Sequence, residues 1–212
     1  LKFVPFRCHS KFCPSCGAKY SNDRSTAMSF KLIQCTHRHL VFTIDESLRR
    51  FFLEDRTLLN CLFEAVSDVI KEYFFSLNKS KNFVPGFICV LHTFGRPLGW
   101  NPHIHCLLTE GGFSDDGVWR KVTYFNYSYL RKSFQTVLLN KLEKRIGPSF
   151  KKMKAAVYHR DRNGFYVYAK PNLCDPKSII KYFSRYLGRP VIALSRIDSY
   201  DGEMVTFHYN KH

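Results

Sequence analysis

The tripeptide His103-Ile104-His105, preceded by Asn101-Pro102, is where residue types and spacing most directly suit chemistry. If the segment is a strand, alternation sends both imidazoles to one face and Ile104 to the other, so two ring nitrogens can converge on one metal ion. A His-x-His triplet by itself fits a structural role equally well. His92 sharpens the metal reading. It precedes Gly95-Arg96-Pro97-Leu98-Gly99, and if the chain reverses around Pro97 and Leu98 it falls almost opposite His103, where cross-strand side chains lie about 5 Å apart. The alternative for His92 is a core histidine bonded to a backbone carbonyl. Glu110 is a poorer third ligand, because parity puts it on the other face of the strand.

A second group is Tyr182-Phe183-Ser184-Arg185-Tyr186. Residues four apart share a helix face, which would present both phenols together, with Lys181, Arg185 and Arg189 close by as phosphate-binding cations. The same spacing also suits an apolar stripe in which Tyr182 and Tyr186 pack with Ile179 and Phe183. A third group, Cys8-His9 and then Cys13-Pro14-Ser15-Cys16-Gly17, has the Cys-x-x-Cys-Gly turn of a structural zinc knuckle, whose small residues let two thiolates face one ion. A complete site takes four ligands. Cys8, Cys13 and Cys16 supply three, and the fourth is either His9 or a residue upstream of Leu1. Cys61, Cys89 and Cys106 fall at apolar-periodic positions and are expected to be buried packing. Cys35 and Cys174 have no evident role.

These groups need elements to hold them. His37 to Ile44 reads as a strand. From Asp55 to about Leu77 the apolar residues Leu58, Leu62, Val66, Val69, Ile70, Tyr73, Phe74 and Leu77 recur every three or four positions, the period of an amphipathic helix. Gly86–Thr93 and His103–Thr109 read as the two strands of a hairpin, and a third short strand is expected near Val118–Phe125. Tyr127–Ile146 has helical spacing that Gly147-Pro148 ends. Residues 148–164 are strongly basic. Phe165–Ala169 reads as a strand, Pro176–Leu187 as a helix capped by Asp175, and Met204–Tyr209 as a last strand. Strands separated by long helices, with a hairpin among them, predict an α+β antiparallel sheet and not a doubly wound one.

At 212 residues the chain can bury one core with a small appendage. Lys and Arg number 33 against 17 Asp and Glu, a formal net charge of +16 spread along the whole sequence. Such a balance favours a polyanionic partner: nucleic acid first, an acidic membrane surface as the rival. Aromatic residues make up 16% of the chain, enough to fill a core and still offer rings for base stacking, which favours nucleic acid. No run of about 18 apolar residues exists to span a bilayer. No apolar secretory stretch opens the sequence, so the eight cysteines are expected in a reducing cytoplasm. A chain that does not begin with Met is expected to be part of a longer protein.

Taken in order, the motifs resemble a known family. Cys8-(x)4-Cys13-Pro14-x-Cys16, then His37-Arg38-His39-Leu40-Val41-Phe42-Thr43-Ile44, then Leu91-His92-Thr93-Phe94-Gly95 with Asn101-Pro102-His103-Ile104-His105-Cys106, then Tyr182-(x)3-Tyr186-Leu187-Gly188-Arg189-Pro190 resemble the two-tyrosine HUH transposases of rolling-circle insertion sequences. The resemblance implies a ferredoxin-like antiparallel sheet with flanking helices, residues 37–212, preceded by a partial zinc-binding region and linker, residues 1–36. It also implies His103 and His105 as metal ligands with His92 as the third, Mg²⁺ or Mn²⁺ as the ion, Zn²⁺ at the cysteines, and Tyr182 and Tyr186 as nucleophiles. The expected reaction is nicking and rejoining of single-stranded DNA through a 5′-phosphotyrosine. Two alternatives stay open on sequence: a replication initiator or relaxase sharing the same site, and an inactive DNA-binding remnant.

Overall fold

The structure is a computed structural model in which residues 6–10, 13–77, 83–95, 97–169, 180, 192 and 194–209 are described. The helix expected over Pro176–Leu187, with Lys181, Tyr182, Arg185, Tyr186 and Arg189, lies outside the described residues, apart from Ile180.

The chain divides into two compact units, one comprising residues 35–94 and 100–174, the other residues 1–34, 95–99 and 175–212. The first holds the sheet. Its strands are β1 (His37–Phe42), β2 (Phe83–Phe94), β3 (Trp100–Ser114), β4 (Trp119–Lys121) and β5 (Val167–Ala169). Its longest helices are α3 (Leu59–Leu77) and α4 (Tyr127–Ile146), with the shorter α2 (Arg49–Glu54) and α5 (Lys151–Arg160). The strand order is β2-β3-β1-β5, every pair antiparallel, with β4 attached to the far end of β3. Setting β4 aside, the order along the chain is strand, helix, hairpin, helix, strand, and the last strand returns beside the first. That is the ferredoxin-like arrangement of two interleaved βαβ halves.

Local chemistry explains the elements. The Asp55 carboxylate accepts from the backbone N–H of Thr57 at 2.9 Å and starts the turn that leads into α3. Helix α3 then buries Leu62, Val66, Val69, Ile70, Tyr73 and Phe74 on one side. Asn126 caps α4 by accepting from the Tyr129 N–H, and Gly147, with φ of 94°, ends it. The two helices cover the sheet face that carries Leu40, Phe42, Ile104, Cys106 and Leu108, all at most 1% exposed, and Phe42 meets Phe134 edge-on at 5.1 Å. Burying each such side chain contributes about 1.5–3 kcal/mol.

Some elements depart from expectation. The strand expected over residues 118–125 shrinks to Trp119–Lys121, and Val122 and Phe125 turn into the core instead. Helix α5 occupies the basic stretch 151–160, where Val157 is the one buried residue, so no apolar stripe announces it. The second unit contains α1 (Pro14–Ser29), which is polar on all sides, and a hairpin of β6 (Ile197–Tyr200) with β7 (Val205–Phe207). Among the described residues no helix is long and apolar enough to cross a membrane.

Candidate metal centre

Sheet register decides which side chains meet. Residues directly opposite across antiparallel strands share a face. His92 pairs with His103, Val90 and Val41 both pair with His105, and His39 pairs with Leu107. The face turned away from the apolar core therefore gathers His39 from β1, His92 from β2, and His103 and His105 from β3.

One nitrogen each from His92, His103 and His105 lies within 4.8 Å of the others. The Nε2 atoms of His103 and His105 are 3.1 Å apart, and the ring centroids of His92 and His105 are 4.0 Å apart. His92 and His105 are buried, at 5% and 6% exposure, and His103 is half-buried. Burial first, then the neighbouring imidazoles, pushes His92 down to about 3 and His105 to about 2, and burial lowers His103 as well. At neutral pH all three are uncharged and keep a lone pair for a ligand.

The hydrogen bonds aim those lone pairs. His103 Nδ1–H donates to the backbone carbonyl of Asn101 at 2.7 Å, because a carbonyl can only accept. The neutral ring therefore leaves Nε2 bare, pointing at His105. His105 Nδ1 lies 2.8 Å from His39 Nε2, and the two rings stack with centroids 5.1 Å apart. If His105 Nδ1–H donates to His39, Nε2 of His105 carries no proton, and both Nε2 atoms can face one ion. Two imidazole nitrogens at about 2.1 Å from one ion, separated by a right or tetrahedral angle, stand about 3.0–3.4 Å apart. The observed 3.1 Å falls in that range. A divalent ion fits this donor set.

The hairpin geometry thus brings His92, His103 and His105 together as the spacing predicted, and it adds His39, which sequence reasoning did not single out. The signal was present: His37-Arg38-His39 repeats the His-x-His alternation on the strand beside β3. Glu110 stands apart from the group. It accepts from Arg38 Nε at 2.7 Å, and Arg38 Nη1 donates to the Tyr127 hydroxyl at 2.6 Å, so this carboxylate serves a buried ion pair.

In the second unit the thiols of Cys8, Cys13 and Cys16 also lie within 4.8 Å of one another, with Cys8 and Cys16 sulfurs 3.7 Å apart. Cys13 sits at the N-cap of α1, and its thiol is pulled below the ordinary value by the backbone N–H of Cys16 and by the Cys8 thiol, which favours the thiolate a metal needs. His9, exposed and with φ of 56°, is not brought into this group. Cys61 and Cys106 are buried as packing, and Cys89 is half-buried.

The chain matches the family described as "Putative transposase" over residues 86–212, and the "Transposase zinc-binding domain" over residues 1–44. It is 27% identical to the "Transposase for insertion sequence element IS801" of Pseudomonas savastanoi pv. phaseolicola, across 100% of this chain and 54% of that protein. It is 26% identical to the "Putative transposase y4qJ" of Sinorhizobium fredii, across 95% of this chain and 55% of that protein. The chain spans about half the length of these curated relatives. No solved structure is significantly similar to it. With one family covering more than half its length and the zinc-binding domain matching ahead of it, the chain belongs to the putative transposase family, in the IS91 type of insertion-sequence transposases.

Proposed function

We propose that this chain nicks and rejoins single-stranded DNA at insertion-sequence ends and targets during rolling-circle transposition, with Tyr182 and Tyr186 as nucleophiles. The observation that carries the reading is the convergence of three neutral imidazoles, His92, His103 and His105, on one sheet face of a chain from a transposase family. A divalent ion held there, Mg²⁺ or Mn²⁺, would supply Lewis-acid polarisation of a non-bridging phosphate oxygen. Within the protein, the Asn101 carbonyl fixes the tautomer of His103, and His39 lies beside His105 Nδ1, so that with His105 Nδ1–H donating to His39 both rings would present Nε2 to the ion.

The phenol oxygen of one tyrosine forms a bond to phosphorus as the bond from phosphorus to the 3′-oxygen breaks. The phenol gives up its proton, and the freed 3′-oxygen ends as a hydroxyl. A phenol ordinarily titrates near 10, so the metal with Arg185 or Lys181 would favour its ionised form, while Lys181, Arg185 and Arg189 bind phosphate. The phosphotyrosine ester keeps the energy of the broken bond, so attack by a 3′-hydroxyl rejoins strands without a nucleotide cofactor. The second tyrosine, four residues away in sequence, can cut another strand while the first stays attached. Cys8, Cys13 and Cys16 would hold Zn²⁺ in a structural role.

A labelled single-stranded oligonucleotide incubated with Mn²⁺ and run on a denaturing gel tests this reading. The parent chain should give a shifted covalent adduct. The Tyr182→Phe/Tyr186→Phe chain should bind DNA and give none, and each single variant should keep some first-strand cleavage. A normal adduct from the double variant would place the nucleophile elsewhere.

A further inference from the structure

Strand β5, an edge of the sheet among the described residues, carries a second feature on the histidine face. Tyr168 of β5 pairs with Val41, which pairs on its other side with His105. Tyr168 therefore shares a face with the histidines, two strands away, or about 10 Å at the usual strand spacing of about 4.8 Å. Tyr166, two residues earlier and just ahead of β5, stacks its ring beside that of Tyr168, and its carbonyl accepts from the N–H and hydroxyl of Thr43 at 3.1 and 2.9 Å. Their neighbours Phe165 and Val167 are buried in the core, yet Tyr166 and Tyr168 remain 55% and 43% exposed. The two phenol rings lie nearly parallel, with planes 16° apart and centroids separated by 6.2 Å.

A cation accompanies them. The guanidinium of Arg131, on α4, lies 5.1 Å from the centre of the Tyr166 ring. Its Nε is buried and has no hydrogen-bond partner among the described residues. The placement is enforced by Gly164, whose φ of 82° turns the chain against α4. A Cβ at that position would come within 2.4 Å of the Arg131 backbone. The rings and the cation are thus held together by a close approach that glycine permits.

Planar exposed rings beside a guanidinium match bases beside phosphates, and a net charge of +16 makes a polyanion the complementary partner. Duplex bases are already stacked on one another, whereas single-stranded bases are free to stack on protein rings. We propose that Tyr166, Tyr168 and Arg131 form a stacking platform for successive bases of single-stranded DNA entering the histidine face. The platform rests on the reading of this chain as a single-strand DNA transposase.

Fluorescence anisotropy of the chain with a labelled single-stranded oligonucleotide, and with a duplex of the same length, tests it. Replacing both tyrosines by Ala should weaken single-strand binding by roughly 5-fold to 150-fold per ring and leave duplex binding nearly unchanged. Tyr166→Leu/Tyr168→Leu keeps apolar cover over the edge but cannot stack, so it should lose affinity too, and the corresponding Phe variants should bind like the parent. Arg131→Ala should reduce the slope of log affinity against log salt by about 0.7, the contribution of one single-strand phosphate contact. Circular dichroism on each variant reports folding. If the Ala and Leu variants are folded and bind single strands like the parent, the platform is overturned and the nuclease reading stands. Equal loss on single strand and duplex, or loss in the Phe variants, likewise overturns it. A parent chain that binds no single-stranded DNA overturns both.

Discussion

Cys8, Cys13 and Cys16 lie close together in sequence at the mouth of α1, whereas His92, His103 and His105 come from two long strands whose register is fixed by the rest of the sheet. The cysteines rest on a helix with no apolar face, and Cys8 is fully at the surface. The histidines rest on Leu40, Phe42, Ile104 and Leu108, which α3 and α4 bury on the opposite side of the same strands. A ligand set with no core beneath it depends on its ion for order, while one built on a packed sheet is arranged before the ion arrives.

Removing the cysteine site should therefore have the largest effect and a local one. Structural zinc contributes on the order of 10 kcal/mol to folding of small metal domains. Chelation, or Cys13→Ser with Cys16→Ser, should abolish amide protection in α1 while α3, α4 and the paired parts of β1 to β3 keep theirs. Hydrogen exchange measured by mass spectrometry gives both readings in one experiment. Uniform loss of protection across both units would remove the contrast.

Acid should act on the histidine unit instead. Folded values of about 3 for His92 and about 2 for His105 lie below the ordinary 6.5, so the unfolded chain binds protons that the folded chain refuses. The stability of this unit is accordingly full above about pH 6.5 and falls as pH drops from there toward the folded values, by about 2 kcal/mol for each of the two groups at pH 5. Thermal melts at pH 5 and pH 8 should show the drop in the parent, and a smaller one once His92 is replaced by Phe. Equal melting temperatures at both pH values would mean that these imidazoles are open to solvent protons.

A smaller change probes how the histidines are aimed. His39 would act on a bound ion only through His105, so His39→Ala should weaken Mn²⁺ binding by about 10-fold to 100-fold, the usual range for a group that orients a ligand. His39→Gln retains an acceptor for His105 Nδ1–H and should recover part of the loss. Unchanged affinity in His39→Ala would show that the bond seen at 2.8 Å leaves the ligand's orientation unaffected.

The same contrast separates what the residues disclosed on sequence from what only the fold revealed. Strong periodicity gave α3, the spacing of Leu130, Phe134, Leu138 and Leu142 gave α4, and strand alternation with the turn at Pro97-Leu98 placed His92 opposite His103, because these patterns are consequences of burial on one side. Helices α1 and α5 bury almost nothing, so their sequences carry no stripe to read. His39 was hidden for another reason. Its partner is 66 residues away in sequence, and only the pairing of β1 with β3 brings it within hydrogen-bonding distance of His105. Glu110 could be set aside from parity alone, but its use as a partner of Arg38 again needed the register.

Titration with Mn²⁺ by calorimetry, comparing the parent chain with His103→Ala/His105→Ala and with Cys13→Ser/Cys16→Ser, tests most directly whether the sheet histidines form a metal centre of their own. The parent and the cysteine variant should each bind an ion with the same affinity, and the histidine variant should bind none at that strength. Parent-like binding by the histidine variant would contradict a metal site at His92, His103 and His105.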